Sequence, residues 1–101
     1  MQFVFKKIKK DKLDIWRDWC ELLRTKYSKE ALETLVEEGV LFEAFICFEI
    51  NNQWYSLGLS SVPITPTNMN RELNRKHKAM RKECLEDMSI PVEILYSFIN
   101  K

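Results

Sequence analysis

Glycine, histidine and cysteine are scarce in this 101-residue chain, which holds two glycines, one histidine and three cysteines. Two glycines are too few for a loop that cradles phosphates, and no nucleotide-binding, zinc-protease or nucleophile-elbow motif occurs. The cysteines, Cys20, Cys47 and Cys84, are odd in number and far apart, which argues against a disulfide framework and a Cys-x-x-Cys metal site. We therefore expect no metal and no cofactor, and reduced thiols in a cytoplasm.

Long apolar runs and an excess of one charge are also lacking. No stretch is long enough to span a bilayer, and the N-terminal MQFVFKKIKKDK reverses the order of a secretory leader. Sixteen Lys and Arg residues oppose fifteen Asp and Glu residues, a formal net charge of +1. The segment QWYSLGLS lacks the aromatic pattern of RNA-binding sheets. We therefore expect neither a membrane nor a nucleic-acid partner, and we interpret the N-terminal lysines as a solvated rim.

The first half of the chain alternates between strand and helix patterns. With 46% hydrophobic and 31% charged residues, residues 1–101 fit one globular domain. A β-rich run at residues 3–8 precedes Asp11, which together with Asp14 resembles a helix cap. Apolar residues at spacings of three and four from Leu13 to Leu35 predict one long helix that ends at Gly39 and bends near residues 25–29.

The second half predicts a hairpin, a helix and a final strand. Two apolar runs at 40–50 and 54–60 meet at Asn51 and Asn52, which tolerate the positive φ of a tight turn. SSVPITPTN predicts a stiff loop that ends in a helix cap at Thr67 or Asn68. The helix that follows runs to about Met88, and after Pro91 the run VEILYSFI, residues 92–99, is typical of a strand.

The resulting order is β, α, β, β, α, β, which predicts an α+β, ferredoxin-like domain. Its four-stranded antiparallel sheet would carry two helices on one face. In the second strand, one face is wholly apolar and the other, with Glu43, Phe45 and Cys47, is half apolar. Because two helices cover only one face, we expect a homodimer packed sheet to sheet, a dimeric α/β barrel. The alternative is a modestly apolar, solvated second face.

Four segments carry a resemblance to a known family: KLDIWRDW, ALETLVEEG, LFEAFICFE and, above all, KHKAMRKECLED. They resemble a bacterial family of small proteins of unknown function, related to the dimeric α/β-barrel proteins whose fold antibiotic-biosynthesis monooxygenases share. The most specific match is His77 followed by Cys84 and Leu85, with Glu43 and Trp16 as further matches. The resemblance implies a ferredoxin-like fold and dimerisation but no activity.

His77 is the main candidate for a functional residue. It recurs with Leu73, Met80 and Cys84 in the apolar stripe of the predicted second helix. One interpretation is a partly buried histidine bonded to a neighbour. The other is a general acid or base at the mouth of a pocket, with Glu43 as its partner if that face of the strand meets the helices.

Aromatic residues widen the candidate site. Aromatic rings at four positions could line a cavity for a flat organic ligand, although core packing is an alternative use: Trp16, Trp19, Trp54 and Tyr55. Three functions stay open: binding of a small organic molecule between helices and sheet, with His77 and Glu43 as polar contacts; a cofactor-independent, monooxygenase-like enzyme; and a non-catalytic dimeric interaction module.

Overall fold

A computed structural model, which describes residues 1–98 and 100, contains one sheet and three helices. In chain order the elements are β1 (Gln2–Ile8), α1 (Leu13–Arg24), α2 (Ser28–Glu38), β2 (Glu43–Ile50), β3 (Gln53–Ser60), α3 (Glu72–Cys84) and β4 (Leu85–Asp87). The strands lie in the order β2-β3-β1-β4, and every neighbouring pair is antiparallel. The predicted α+β class and four-stranded antiparallel sheet are confirmed.

The prediction of one long first helix is wrong, because α1 and α2 are separate helices. The break falls at residues 25–27, inside the region where a bend was expected. The Thr25 hydroxyl donates to the Glu21 carbonyl at 2.7 Å, and Thr25 leaves helical geometry at φ −116° and ψ −86°. A threonine that bonds back to its own helix competes with the regular ladder. α2 then ends at Gly39 (φ 74°), as expected.

Both predicted helix caps are also wrong. Lys12 precedes α1 and Arg71 precedes α3, and neither donates or accepts a side-chain capping hydrogen bond. Asn68 closes a turn instead: its side-chain oxygen accepts from the Asn70 N–H at 3.0 Å, and its carbonyl accepts from the Asn74 amide at 2.9 Å. The helix therefore begins at Glu72, after this turn.

The last strand lies earlier in the chain than the alternating pattern predicted. β4 is Leu85–Asp87, so α3 ends at Cys84, short of Met88. Leu85 pairs with Ile8, and both are buried, because the core continues directly past the end of α3. Residues 92–98 form no strand, and Leu95 and Phe98 are 81% and 88% exposed; Ile99 lies outside the described residues.

The hairpin between β2 and β3 is confirmed, and its register assigns the two sheet faces. Asn51 and Asn52 adopt φ values of 50° and 64°. Phe45 pairs with Gly58 and Cys47 with Ser56, and paired residues share a face. Phe45 and Cys47 pack on the buried core, so theirs is the helix face. The outer face is apolar throughout its centre: Phe3, Phe5, Ala44, Ile46, Phe48, Ile50, Tyr55, Leu57 and Leu59.

Candidate functional site

His77 lies on α3 and faces α1. The indole N–H of Trp19 donates a hydrogen bond to His77 Nδ1 at 2.9 Å. A ring nitrogen that accepts a hydrogen bond carries no proton, so the proton of the neutral imidazole is on Nε2. The partner of the histidine is thus a tryptophan from another helix, 58 residues away in the chain.

Three aromatic rings surround the His77 imidazole. The centroids of Trp16, Trp19 and Phe45 lie 6.2, 6.1 and 6.0 Å from the imidazole centroid. α1 supplies the two tryptophans because a spacing of three puts both on one helix face, and β2 supplies Phe45. Burial, with a smaller contribution from the Arg81 charge, lowers the pKa of His77 to about 4. The imidazole is therefore neutral at physiological pH and suited to donate a hydrogen bond, not to accept a proton.

His77 as a whole residue is half-buried and keeps partial access to solvent. Within residues 1–98 and 100, Ser56 Oγ is the one fully buried side-chain nitrogen or oxygen without a hydrogen-bond partner. His77 Nε2 is therefore not a second buried atom without a partner. The site therefore presents one N–H donor beside aromatic rings.

Glu43 lies on the helix face of β2, two residues before Phe45, so the open question about its direction is answered in favour of the helices. Loss of water around the carboxyl raises its pKa, the charge of Glu38 raises it further, and Arg81 opposes both effects. The residue as a whole keeps substantial exposure to solvent. Glu43 makes no hydrogen bond to His77 in the described part of the chain, and Arg81 is the charged group that acts on both.

The other predicted ligand contacts are dispersed. Trp16 is 2% exposed and belongs to the core. Trp54 shares the helix face, but the Arg17 guanidinium stacks over its ring at 4.8 Å. Tyr55 lies on the outer face, between the rings of Phe5 and Phe48. The structure thus brings His77 together with Trp16, places Glu43 on the same side, and separates Tyr55 from all of them; their role in binding stays a prediction.

The cysteines lack the setting of reactive thiols. Burial is the first cause that raises the pKa of Cys20 to about 11, and the neighbouring Cys47 is the second. Burial also raises the pKa of Cys84, which is fully buried. A nucleophilic cysteine needs a lowered pKa and access to solvent. Cys20 and Cys84 therefore act as small apolar side chains of the core.

One feature that the sequence reasoning missed is a basic concavity of about 590 Å³ beside the end of α3. Its lining residues come from three elements and the chain after β1: Lys6, Lys9, Lys78, Arg81, Lys82, Leu85, Glu86 and Asp87. From the sequence we interpreted the N-terminal lysines, Lys6 and Lys9 among them, as a solvated rim. The lining side chains converge because β4 pairs with the end of β1. The sequence placed the last strand at residues 92–99, so it did not predict this pairing.

Comparisons with known proteins identify a family and nothing further. Among the described residues, no helix combines the length and apolar character needed to cross a membrane. No curated protein and no solved structure matches the chain. A profile described as "Family of unknown function (DUF6176)" matches residues 2–98, nearly the whole chain. The chain therefore belongs to DUF6176, a family of unknown function.

Proposed function

We propose that this chain is a ferredoxin-like domain that works as a homodimer, with the outer faces of two sheets packed against each other. The antiparallel strand order β2-β3-β1-β4 supports the ferredoxin-like assignment, as does the placement of α1 and α3 on one face. The extra helix break and the three-residue β4 are departures from an ideal βαββαβ unit.

The observation that carries the proposal is the apolar outer face. Ile46 and Ile50, on the edge strand β2, are 48% and 52% exposed, and the neighbouring strands of the same face bear aromatic and aliphatic side chains. Soluble monomers seldom leave contiguous apolar patches of this kind in water. The chain's own residues 90–96 lie against Phe3, Phe5, Leu57 and Leu59 on the two inner strands, β1 and β3, and no β2 residue is part of this contact.

A second copy is the partner that fits this face best. The centre of the face bears no charged side chain, so it offers no charge pattern that would select a different protein, and a twofold axis lets one apolar patch complete itself. Lys7 and Glu86, opposite in charge and paired across β1 and β4, lie at its rim. At the rim, these charges would not interrupt the apolar centre, which would form the dimer interface.

The test is the solution mass of the wild type and of Ile46→Lys. We expect the wild type to sediment at twice 12.1 kDa and the variant at 12.1 kDa, because a lysine in an apolar interface is costly. Val36→Lys, at an 80%-exposed position of α2, makes the same change of chemistry away from the sheet and should stay dimeric. A monomeric wild type, or a dimer that survives Ile46→Lys with a native circular dichroism spectrum, would contradict the proposal.

A second candidate function, binding of a small organic molecule on the helix side of the sheet, is favoured by the Nε2–H donor of the half-buried His77. The neutral imidazole and the aromatic rings suit a binding contact better than proton transfer, so this role ranks above a monooxygenase-like activity. Native mass spectrometry of gently purified protein should show added mass on the wild type. His77→Phe keeps an aromatic ring but removes the donor and should lose that mass, whereas Tyr96→Phe on the exposed tail should retain it.

The three free cysteines also support a cellular location for the protein. Cys20, Cys47 and Cys84 form no disulfide, and burial keeps Cys84 out of reach of oxidants. Free thiols persist in reducing compartments. We propose the cytoplasm as the location. Rapid acid quenching of cells, followed by alkylation under denaturing conditions and mass analysis, should find all three thiols reduced.

A further inference from the structure

The basic concavity beside the end of α3 concentrates positive charge. It gathers five cationic side chains and two carboxylates, an excess of three positive charges, in a chain whose formal net charge is +1. Its volume of about 590 Å³ falls within the range of small-molecule pockets. A concave site of one sign raises the local concentration of ligands of the other sign.

Internal partners account for only part of this charge. Lys6 forms an ion pair with Asp87, and Lys9 Nζ donates to the Lys82 carbonyl at 2.8 Å. Lys78, Arg81 and Lys82 form no ion pair within residues 1–98 and 100. Cations do favour the last turn of a helix, but the helix dipole there amounts to only about half a negative charge. Three cations exceed what the helix end requires.

Arg81 connects the concavity to the candidate site. It is half-buried and lies four residues after His77 on α3, and its charge acts on the Asp87 carboxyl in the concavity, on the His77 imidazole and on the Glu43 carboxyl. Lys78 and Lys82 lie one turn apart on α3, with Arg81 between them. A planar guanidinium flanked by two flexible ammonium groups matches the oxygen atoms of a tetrahedral oxyanion.

We propose that this concavity binds the phosphate group of a small organic molecule, with Arg81, Lys78 and Lys82 as its ligands. A phosphate monoester, with nearly two negative charges, balances an excess of three cations better than a single carboxylate does. The molecule's organic part would extend from Arg81 toward His77. A single compact patch, on a chain that is otherwise nearly neutral, fits a small molecule better than the long basic track that nucleic acid requires. Lys6 and Asp87 lie on the helix face of the sheet, opposite the outer face proposed for dimerisation.

The experiment is a titration of the 101-residue protein with phenyl phosphate, in which binding is measured by isothermal titration calorimetry and ³¹P NMR. We expect saturable binding in the millimolar range or tighter, competed by inorganic phosphate. Arg81→Gln and Lys78→Gln should each weaken it about tenfold or more, because each removes a charge-assisted hydrogen bond. Lys76→Gln changes the same net charge on the same helix, outside the concavity, and should leave binding unchanged.

Several results would overturn the proposal. These are no binding of phenyl phosphate by the wild type, equal binding by all three variants, equal competition by benzoate, or displacement by a single-stranded RNA oligomer at lower concentration. Lys78 is exposed, so Lys78→Gln should keep the native fold, and its circular dichroism spectrum separates lost binding from lost structure. Failure here would leave the sedimentation result for Ile46→Lys untouched, and the reverse holds as well.

Discussion

At the scale of single residues, the spacing of apolar side chains identified His77 but not its partner. Leu73, His77, Met80 and Cys84 follow a helical stripe, and the structure buries or half-buries all four. Trp19 reaches His77 only because α1 packs on α3, a contact that local periodicity does not contain. The interpretation of His77 as a partly buried histidine bonded to a neighbour matches the geometry found.

The lowered pKa of His77 predicts a pH dependence of stability. The unfolded chain binds this proton near the ordinary value of 6.5 and the folded chain only near 4, so stability is full above pH 6.5 and falls as pH drops toward 4. The loss across that window should reach about 3 kcal/mol. Urea unfolding of the wild type and of His77→Gln at several pH values measures it.

His77→Gln can still accept from the Trp19 N–H and does not titrate, so it serves as the matched comparison. Glu43, whose pKa is raised, titrates in both proteins and cancels in the difference. Identical pH profiles for the two proteins would show that His77 protonates freely in the folded state.

Gly58 is the residue at which a single added methyl should disturb the sheet. A Cβ there would lie 2.7 Å from Phe45 Cε1, and the Phe45 ring is held between Trp16 and His77. Gly58→Ala should therefore lower the free energy of unfolding by about 1–3 kcal/mol. In urea titrations, the double variant Gly58→Ala/Phe45→Leu should lose less than the sum of the two single changes. Strict additivity would mean that the ring moves aside freely.

At the scale of elements, the turns were easier to predict than the ends of helices and the position of the last strand. Asn51 and Asn52 fix the hairpin and Gly39 fixes the end of α2 through their own backbone preferences. Helix ends and β4 depend on what the neighbouring core accepts. VEILYSFI has the composition of a strand, but the position beside β1 is taken by Leu85–Asp87, because Leu85 completes the core with Ile8.

Two truncations test the position of the fourth strand. Removal of all residues after Met88 should leave the far-ultraviolet circular dichroism and the tryptophan emission close to native, because residues 89–98 form no strand. Removal of all residues after Cys84 also deletes the buried Leu85 and should cost several kcal/mol or unfold the chain. Unfolding by both truncations would show that the tail is essential to the sheet.

At the scale of the whole molecule, the two faces of the sheet differ in what they contact. The helix face holds the core, the His77 rings and Arg81, whereas the outer face holds apolar side chains with no helix over them. From the alternation in β2 the sequence predicted that one apolar face would lack helix cover, since a strand shows both faces in its own residues. It took the half-apolar Glu43 face to be that second face, whereas the structure packs the Glu43 face on the helices and leaves the wholly apolar face uncovered. The sequence did not predict the basic concavity, which exists only after β1, α3 and β4 meet.

A dimer through the outer face predicts a melting temperature that depends on protein concentration. Association stabilises the folded state by mass action, so the melting temperature of the wild type should rise with each tenfold increase in concentration. Ile46→Lys should melt at the same temperature at every concentration, and Val36→Lys should follow the wild type. Differential scanning calorimetry measures all three, and a concentration-independent wild type would argue for a monomer.

The direct passage from α3 into β4 makes this junction intolerant of changes in length. Cys84 is the last residue of the helix and Leu85 the first of the strand, with no linker between them. One inserted residue would turn every later strand position to the opposite face, so that Leu85 would leave the core and Asp87 would leave Lys6. Point substitutions here lose single contacts, but an insertion or deletion would misplace all of them together. Within this family, length variation should therefore accumulate in the loop between β3 and α3 and be absent from this junction.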